Sequence, residues 1–344
     1  MDIAYYLLAI IAGFALLIWS ADKFVDGAAD IAKHLGVSPL IVGMIIIGFG
    51  TSAPEMLVSG VAAVSGNPQL GIGNAIGSNI ANIAMVLGIT TLIYTLPVHS
   101  KIIRREIPIL LAAEIAAFAL IKSGYFTFFD GLLLMGGLFL LLIWLIIEAN
   151  NERKEVHDEF LQDVLEEEEA DTKEYSSSAY FWAIGGLVML LTSSHMLVWG
   201  ASNIATLFGI SQLVIGLTIV AIGTSLPELA ATLMSAKKGE TDLAVGNIVG
   251  SNIFNTLGVL AIPALLGANV QVDPNAIYRD FPIMIILTFL LLIFARGCWE
   301  KQVISWWKGA ILVSIFIAYG VMLYFHTINE TVCDAYLCLD MLKE

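Results

Sequence analysis

The sequence predicts an all-α integral membrane protein of ten transmembrane helices, arranged as two inverted five-helix repeats with broken helices at the site. Three observations predict it. The first is composition: of 344 residues, 58% are hydrophobic and only 13% charged, with a mean hydropathy of +0.86. Soluble domains carry about a quarter charged residues. The second is the recurrence of apolar runs long enough to cross a bilayer as helix, about 20 residues. They fall at 3–20, 38–64, 70–95, 104–122 and 129–148, then at 179–200, 211–236, 242–267, 280–295 and 304–326. The third is an internal repeat: a shift of 173 aligns residues 27–88 with 200–261 without a gap, giving 26 identities in 62 positions.

The first run is a retained span, because Met1-Asp2 ahead of it carries no Lys or Arg of the kind that opens a cleaved signal. Asp22, Asp26 and Asp30, spaced by four near its end, read as a solvated helix face, with attraction of cations to an entrance as the alternative. The second run contains GFGTSAPE at 48–55. Pro54 has no N–H and its ring clashes with the carbonyl four residues back, so Gly50 loses its helical partner. The same proline pushes Ala53 away from helical dihedrals. The expected result is a discontinuous helix: one half ends in free carbonyls, and Glu55 stands in the first turn of the next. Unpaired backbone and a carboxylate are both costly in lipid, so this stretch must face protein or a water-filled cavity. The seventh run repeats it as AIGTSLPE at 221–228.

The third run carries GNAIGSNIAN (73–82) and the eighth GNIVGSNIFN (246–255). Asn74, Ser78 and Asn82 are spaced by four and form one stripe on a helix, as do Asn247, Ser251 and Asn255. The glycines beside them allow close helix approach. Either stripe alone reads as interhelical glue; two copies, each following a proline break, read as cavity lining. In the fourth run Glu114 lies amid apolar residues and is expected to pack against a polar neighbour, the alternative being a proton or potassium site. His195 matches Asp22 in the repeat and reads as structural.

Between the two sets of five lies an acidic segment. Residues 148–174 hold twelve Asp or Glu against Arg153, Lys154 and Lys173, most of the net charge of −14. With its EEEE (166–169) and SSS (176–178) runs it reads as a solubilising loop with room for a short helix; a calcium-sensing or docking surface is the alternative. The organisation is thus a first repeat over 1–149, an acidic loop over 150–178, a second repeat over 179–326 and a C-terminal tail over 327–344. Cys298, Cys333 and Cys338 fit no metal spacing, and at most the last two could form one bridge.

Five is odd, so a repeat of five enters the membrane from one side and its copy from the other. Charge agrees. With the termini outside, thirteen of the sixteen Lys and Arg fall in cytoplasmic segments and only Lys122, Arg279 and Lys343 outside. Inverted repeats with interrupted helices at matching positions are the sequence sign of a secondary transporter with its site near the midplane.

The candidate site offers two carboxylates (Glu55, Glu228), hydroxyls (Thr51, Ser52, Ser78, Thr224, Ser225, Ser251), the amides of Asn82 and Asn255, and freed carbonyls, with no Lys, Arg, His or Cys among them. An all-oxygen set suits hard cations and not zinc, copper or an anion. Calcium takes about 6–8 oxygens, and two carboxylates neutralise one divalent ion. An intramembrane hydrolase using the glutamates as acid and base is the remote enzymatic alternative; the five histidines all lie away from the motifs. A cation channel is the other.

The doubled GTS-x-PE and GN-x-x-GSN-x-x-N motifs resemble the cation/calcium exchanger superfamily, and its prokaryotic sodium/calcium antiporter branch in particular, over about residues 3–326. The resemblance implies exchange of calcium for sodium by alternating access, with the first and sixth helices sliding across the rest; a calcium/proton or potassium-dependent cation antiporter is the alternative. It implies the carbonyls of Gly48 and Ala221 as ligands, and the side chains of Thr51, Ser52, Glu55, Ser78, Asn82, Thr224, Ser225, Glu228, Ser251 and Asn255. It implies an integral plasma or prokaryotic inner membrane protein, with both termini outside and the acidic loop cytoplasmic. Its partners would be calcium and sodium ions and the lipid bilayer, with no cofactor, no nucleic acid and no obligatory protein partner. Some members carry aspartate where this chain has Asn82 or Asn255, which leaves the counter-ions open.

Overall fold

The computed structural model describes residues 3–99, 101–164, 178–208, 221–267, 269–296 and 302–341. The helices are α1 (Ile3–Leu35), α2 (Pro39–Thr51), α3 (Ala53–Val64), α4 (Pro68–Ile93), α5 (Ile107–Ile121), α6 (Phe128–Val164), α7 (Ser178–Leu207), a single turn α8 (Ala221–Thr224), α9 (Leu226–Lys237), α10 (Thr241–Leu266), α11 (Ala276–Arg296) and α12 (Trp306–Met341). Among the described residues seven helices are long and apolar enough to cross a membrane. The bent pair α2–α3 makes an eighth.

Two expected spans look different. At 104–122 the residues Arg104, Arg105 and Glu106 sit in a widened helical turn, and the regular helix begins only at Ile107. The span at 211–236 is described from Ala221 onward. Other helices outrun their expected ends. α1 continues to Leu35 because Ala21, Phe24, Val25, Ala28 and Ala32 are buried, so its second half packs on protein rather than lipid. α6 continues to Val164, into the acidic segment, through a run of helix formers such as Glu152, Arg153, Lys154 and Glu155. The EEEE run and Cys298 lie outside the described residues, as do the side chains of Cys333 and Cys338.

α1 and α7 cross in close contact. Gly13 meets Leu197, Phe24 meets Gly186, Gly27 meets Ala183, and Gly200 meets Tyr6 and Ile10. One residue number rises as the other falls, so the two helices run antiparallel. Under the 173-residue shift, Gly13–Leu197 becomes Gly186–Phe24, and Gly27–Ala183 becomes Gly200–Ile10. Each of these contacts is therefore made twice, with the two halves exchanging roles. A Cβ on Gly186 would lie 2.7 Å from the Phe24 nitrogen, so only glycine permits this approach.

The connections repeat the pattern. β1 (Leu96–Pro97), after α4, pairs antiparallel with β4 (Val303–Ile304), after α11. β2 (Tyr125–Phe126), after α5, pairs with β3 (Val270–Gln271), after α10. In each ribbon the loop after the third segment of one half pairs with the loop after the fourth segment of the other. The flanking bonds match as well: Val98 N–H donates to the Gln302 carbonyl at 2.8 Å, and Val272 N–H to the Gly124 carbonyl at 2.9 Å.

α4 and α10 are the centre of the molecule. Their apolar windows are 78% and 89% buried, against 17–44% for the other candidate spans. Outer helices expose large apolar side chains, such as Leu8, Ile11 and Phe14 on α1 and Phe139 and Leu140 on α6. An apolar exterior around a buried polar stripe is what a lipid solvent requires.

Candidate ion-binding site

Both proline breaks form where the sequence places them, and with the same geometry. Ser52 (φ −81°, ψ 0°) separates α2 from α3, and Ser225 (φ −91°, ψ 6°) separates α8 from α9. These are bridge-region dihedrals, sparsely populated and characteristic of a chain held between two helices. The bend between α2 and α3 is 41°. Glu55 and Glu228 stand in the first turns of α3 and α9, each 1% exposed.

The central helices bring the second motif to the same place. Ser78, Asn82, Ser251 and Asn255 are buried. A widened turn begins at Asn82 in α4 and at its counterpart Asn255 in α10. Such turns rotate the helix face and occur often at functional sites. The halves meet through polar contacts: the Thr51 hydroxyl lies 3.2 Å from Asn247 Oδ1 and 3.3 Å from the Ser251 hydroxyl, and Asn82 Nδ2 donates to Asn252 Oδ1 at 3.0 Å.

Several buried oxygens at this centre accept no well-formed hydrogen bond: both carboxylate oxygens of Glu55, both of Glu228, the hydroxyls of Ser52 and Ser225, and the amide oxygens of Asn82 and Asn255. Buried polar groups in native proteins are nearly always paired, and an isolated buried carboxylate is far costlier than a neutral group. These oxygens come from all four elements of the centre, with the amide nitrogens of Asn252 and Asn255 unpaired beside them. Among the described residues no group of three or more His, Cys, Asp or Glu forms a metal cluster. The donors at the centre are therefore two carboxylates supplemented by neutral oxygens, which fits a hard cation better than a transition metal.

One detail departs from expectation. The Gly48 carbonyl is not freed by the break: it accepts the Ser52 N–H at 3.1 Å and the Ser251 hydroxyl at 3.3 Å. Pro54 removes the partner of Gly50, not of Gly48, because the missing helical bond runs to the carbonyl four residues back. Ala221 is the first described residue of its segment and its side chain lies outside the described set. Thr224 is half-buried, whereas its counterpart Thr51 is fully buried.

Four asparagines hold the site together: Asn74 and Asn247, which the sequence placed on the stripes without this role, and Asn79 and Asn252, which it did not select. Asn74 Nδ2 donates to the Glu55 carbonyl at 3.2 Å, and Asn247 Nδ2 to the Glu228 carbonyl at 3.3 Å. Each fastens the first turn of a glutamate helix to the central helix beside it. Asn79 donates to the Thr256 hydroxyl at 2.7 Å, and Asn252 receives Asn82. The signal for Asn79 and Asn252 was their recurrence in both copies of the GN-x-x-GSN motif, beyond the one stripe the spacing of four selects.

The remaining singled-out residues resolve simply. Glu114 is buried, and Thr288 donates to its Oε1 at 2.8 Å, the expected polar neighbour. Thr288 is the counterpart of Glu114 under the 174 shift that aligns Arg105 with Arg279, so matching positions of the two halves meet. His195 is exposed. The Asp22–Asp26 face is not merely solvated: Lys238 pairs with both, reaching Asp22 Oδ1 at 2.7 Å, and so ties α1 to the end of α9. Sequence spacing could not reveal a partner more than 200 positions away.

Comparison with known proteins gives the family. The family model for the sodium/calcium exchanger protein matches residues 5–148 and 178–325. The chain belongs to the sodium/calcium exchanger family. Relatives cover nearly their whole length: CaxA of Alkalimonas amylolytica is 41% identical over 92% of this chain and 97% of its own. The inner membrane protein YrbG of Escherichia coli is 37% identical over 92% and 95%. The sodium/calcium exchanger MaX1 of Methanosarcina acetivorans is 30% identical over 92% and 98%. A solved structure of the sodium-calcium exchanger NCX_Mj superimposes with a TM-score of 0.77 at 30% identity, covering 92% of this chain and 98% of that one. Family membership and the apolar helices together make this a multi-pass integral membrane protein.

Proposed function

We propose that the protein is a secondary active antiporter that exchanges calcium for sodium by alternating access, with calcium held by Glu55 and Glu228 near the midplane. The observation that carries this reading is the pair of buried glutamates whose four carboxylate oxygens accept no well-formed hydrogen bond. Two bare carboxylates repel at low dielectric; one divalent ion cancels both charges and fills their coordination. The hydroxyls of Thr51, Ser52, Ser78, Thr224, Ser225 and Ser251, the amides of Asn82 and Asn255, and the carbonyls of Gly48 and Ala221 complete the proposed set. Groups of neutral oxygens sharing one carboxylate oxygen would take sodium. The reading includes ten transmembrane helices as two inverted five-helix repeats. The antiparallel, reciprocal packing of α1 on α7 supports the inversion, since these are the first helices of the two halves.

Alternating access needs one side of the site closed while the other is open, and the halves differ in that sense. Gly246, Asn247 and Gly250 on α10 are buried, while their counterparts Gly73 and Asn74 on α4 are exposed and half-buried, and Gly77 is half-buried. With both termini outside, the exposed end of α4 is extracellular. In this reading the site is approached from outside.

Calcium flux in vesicles, with sodium, potassium and pH varied separately, tests the reading. Calcium movement that saturates and requires an opposing sodium gradient is expected. Flux driven by a proton gradient alone, or flux independent of any counter-ion, would overturn sodium exchange. The topology has its own test: tags at residue 1 and after residue 344 should be reached from outside, and one near residue 165 from the cytoplasm. A terminus on the same side as the acidic segment would contradict the inverted arrangement.

A further inference from the structure

The two halves cap their proline breaks differently. Pro227 lacks an N–H, so the Gly223 carbonyl, four residues back, loses its helical partner, just as Pro54 strands the Gly50 carbonyl. In the second half a side chain supplies the missing donor: the Ser194 hydroxyl of α7 donates to the Gly223 carbonyl at 2.8 Å. Under the 173 shift the counterpart of Ser194 is Ala21 on α1, buried and without a hydroxyl. The first break therefore lacks this cap.

α7 also touches both breaks. The Leu187 side chain packs against Gly50, and the Val198 side chain against Gly223 so closely that a Cβ there would clash. Leu187, Ser194 and Val198 are spaced by seven and four, so they lie on one face of α7. Ser194 is the hydroxyl on that face that reaches a break.

We propose that Ser194 is a positioning residue of the ion site. The Gly223 carbonyl and the Thr224 N–H belong to one rigid peptide plane. Holding that carbonyl fixes the plane leading into Thr224 and Ser225, and through them the start of the helix that carries Glu228. The inference rests on the ion-site reading proposed above. It adds that α7 takes part in setting site geometry in the second half, through the carbonyl that Pro227 strands.

The test is calcium uptake into vesicles at fixed opposing sodium, with calcium varied. Ser194→Ala should raise the half-saturating calcium concentration about tenfold, the scale of one hydrogen bond to an otherwise orphaned carbonyl, with a maximal rate within about twofold of the parent. Ser194→Thr keeps the hydroxyl and should restore most of the affinity. Ser193→Ala is the control, because the Ser193 hydroxyl bonds the Leu190 carbonyl of its own helix at 2.8 Å. If Ser194→Ala does not insert, Ser194→Cys, close in shape but a weak donor, is read in its place. Unchanged half-saturation in the variant lacking the hydroxyl, or equal loss in Ser193→Ala, overturns the proposal. Glu228→Gln run alongside separates the two failures. If it abolishes flux while Ser194→Ala does nothing, only the positioning role falls; if it leaves flux intact, the ion-site reading falls first.

Discussion

Glutamine in place of either Glu55 or Glu228 is expected to abolish calcium exchange while the protein still inserts. Each glutamate is buried with both carboxylate oxygens unpaired, so glutamine keeps the shape and removes only charge. The single carboxylate that remains cannot neutralise a divalent ion at low dielectric. Removing one partner of a buried charge pair costs about 3–5 kcal/mol, or roughly two to three and a half orders of magnitude in affinity. Binding also stabilises the folded state by mass action, which gives a second readout. Calcium should raise the melting temperature of the parent in detergent and leave both variants unmoved. Near-normal calcium-dependent exchange in both variants would sink the assignment. Glu114→Gln is the control: Glu114 Oε1 only accepts the Thr288 hydroxyl, a bond that a glutamine oxygen can keep, so transport should persist.

Valine at Gly250 should cost more stability than any other single change at the centre and stop exchange with it. A Cβ there would lie 2.6 Å from both the Cα and the carbonyl oxygen of Met44. The obstacle is backbone against backbone, so no side-chain rotation relieves it. α2 must move off α10, and overpacking of this kind costs about 1–3 kcal/mol or more. The same displacement pulls apart Thr51 from Asn247 and Ser251 from the Gly48 carbonyl. Thermal stability in detergent and vesicle exchange should both fall, exchange the further. Gly320→Ala, on the exposed face of α12, should leave both unchanged. Parent-like exchange from Gly250→Val would mean that α2 and α10 need not stay in contact for transport.

Much of the site was legible because the chain states it twice. A proline removes the same hydrogen bond wherever it sits, so the breaks at Ser52 and Ser225 followed from local covalent structure. The spacing of four placed Ser78 and Asn82, and Ser251 and Asn255, on single helix faces, where they are found buried. Helix ends were less legible. α1 runs to Leu35 because its second half packs in one cluster with α9 as well as α7, and burial by remote helices leaves little local mark beyond recurring alanines. The roles of Asn74 and Asn247 were missed for a related reason: their spacing matches the stripe, but their bonds go to the backbone of the neighbouring glutamate helices.

By itself the sequence determined what depends on neighbours along the chain: apolar runs of membrane length, two proline breaks, two glutamates in first turns, and a duplication that matches one half to the other. Only the tertiary structure decided what depends on distance. It set Lys238 between Asp22 and Asp26, paired Glu114 with its own counterpart Thr288, and gave the Gly223 carbonyl a hydroxyl that the Gly50 carbonyl lacks. It also buried Gly246 and Gly250 against Leu40, Gly43 and Met44 of α2. A repeated sequence encodes the same local preferences twice. Which face each helix buries is settled only when the two halves meet.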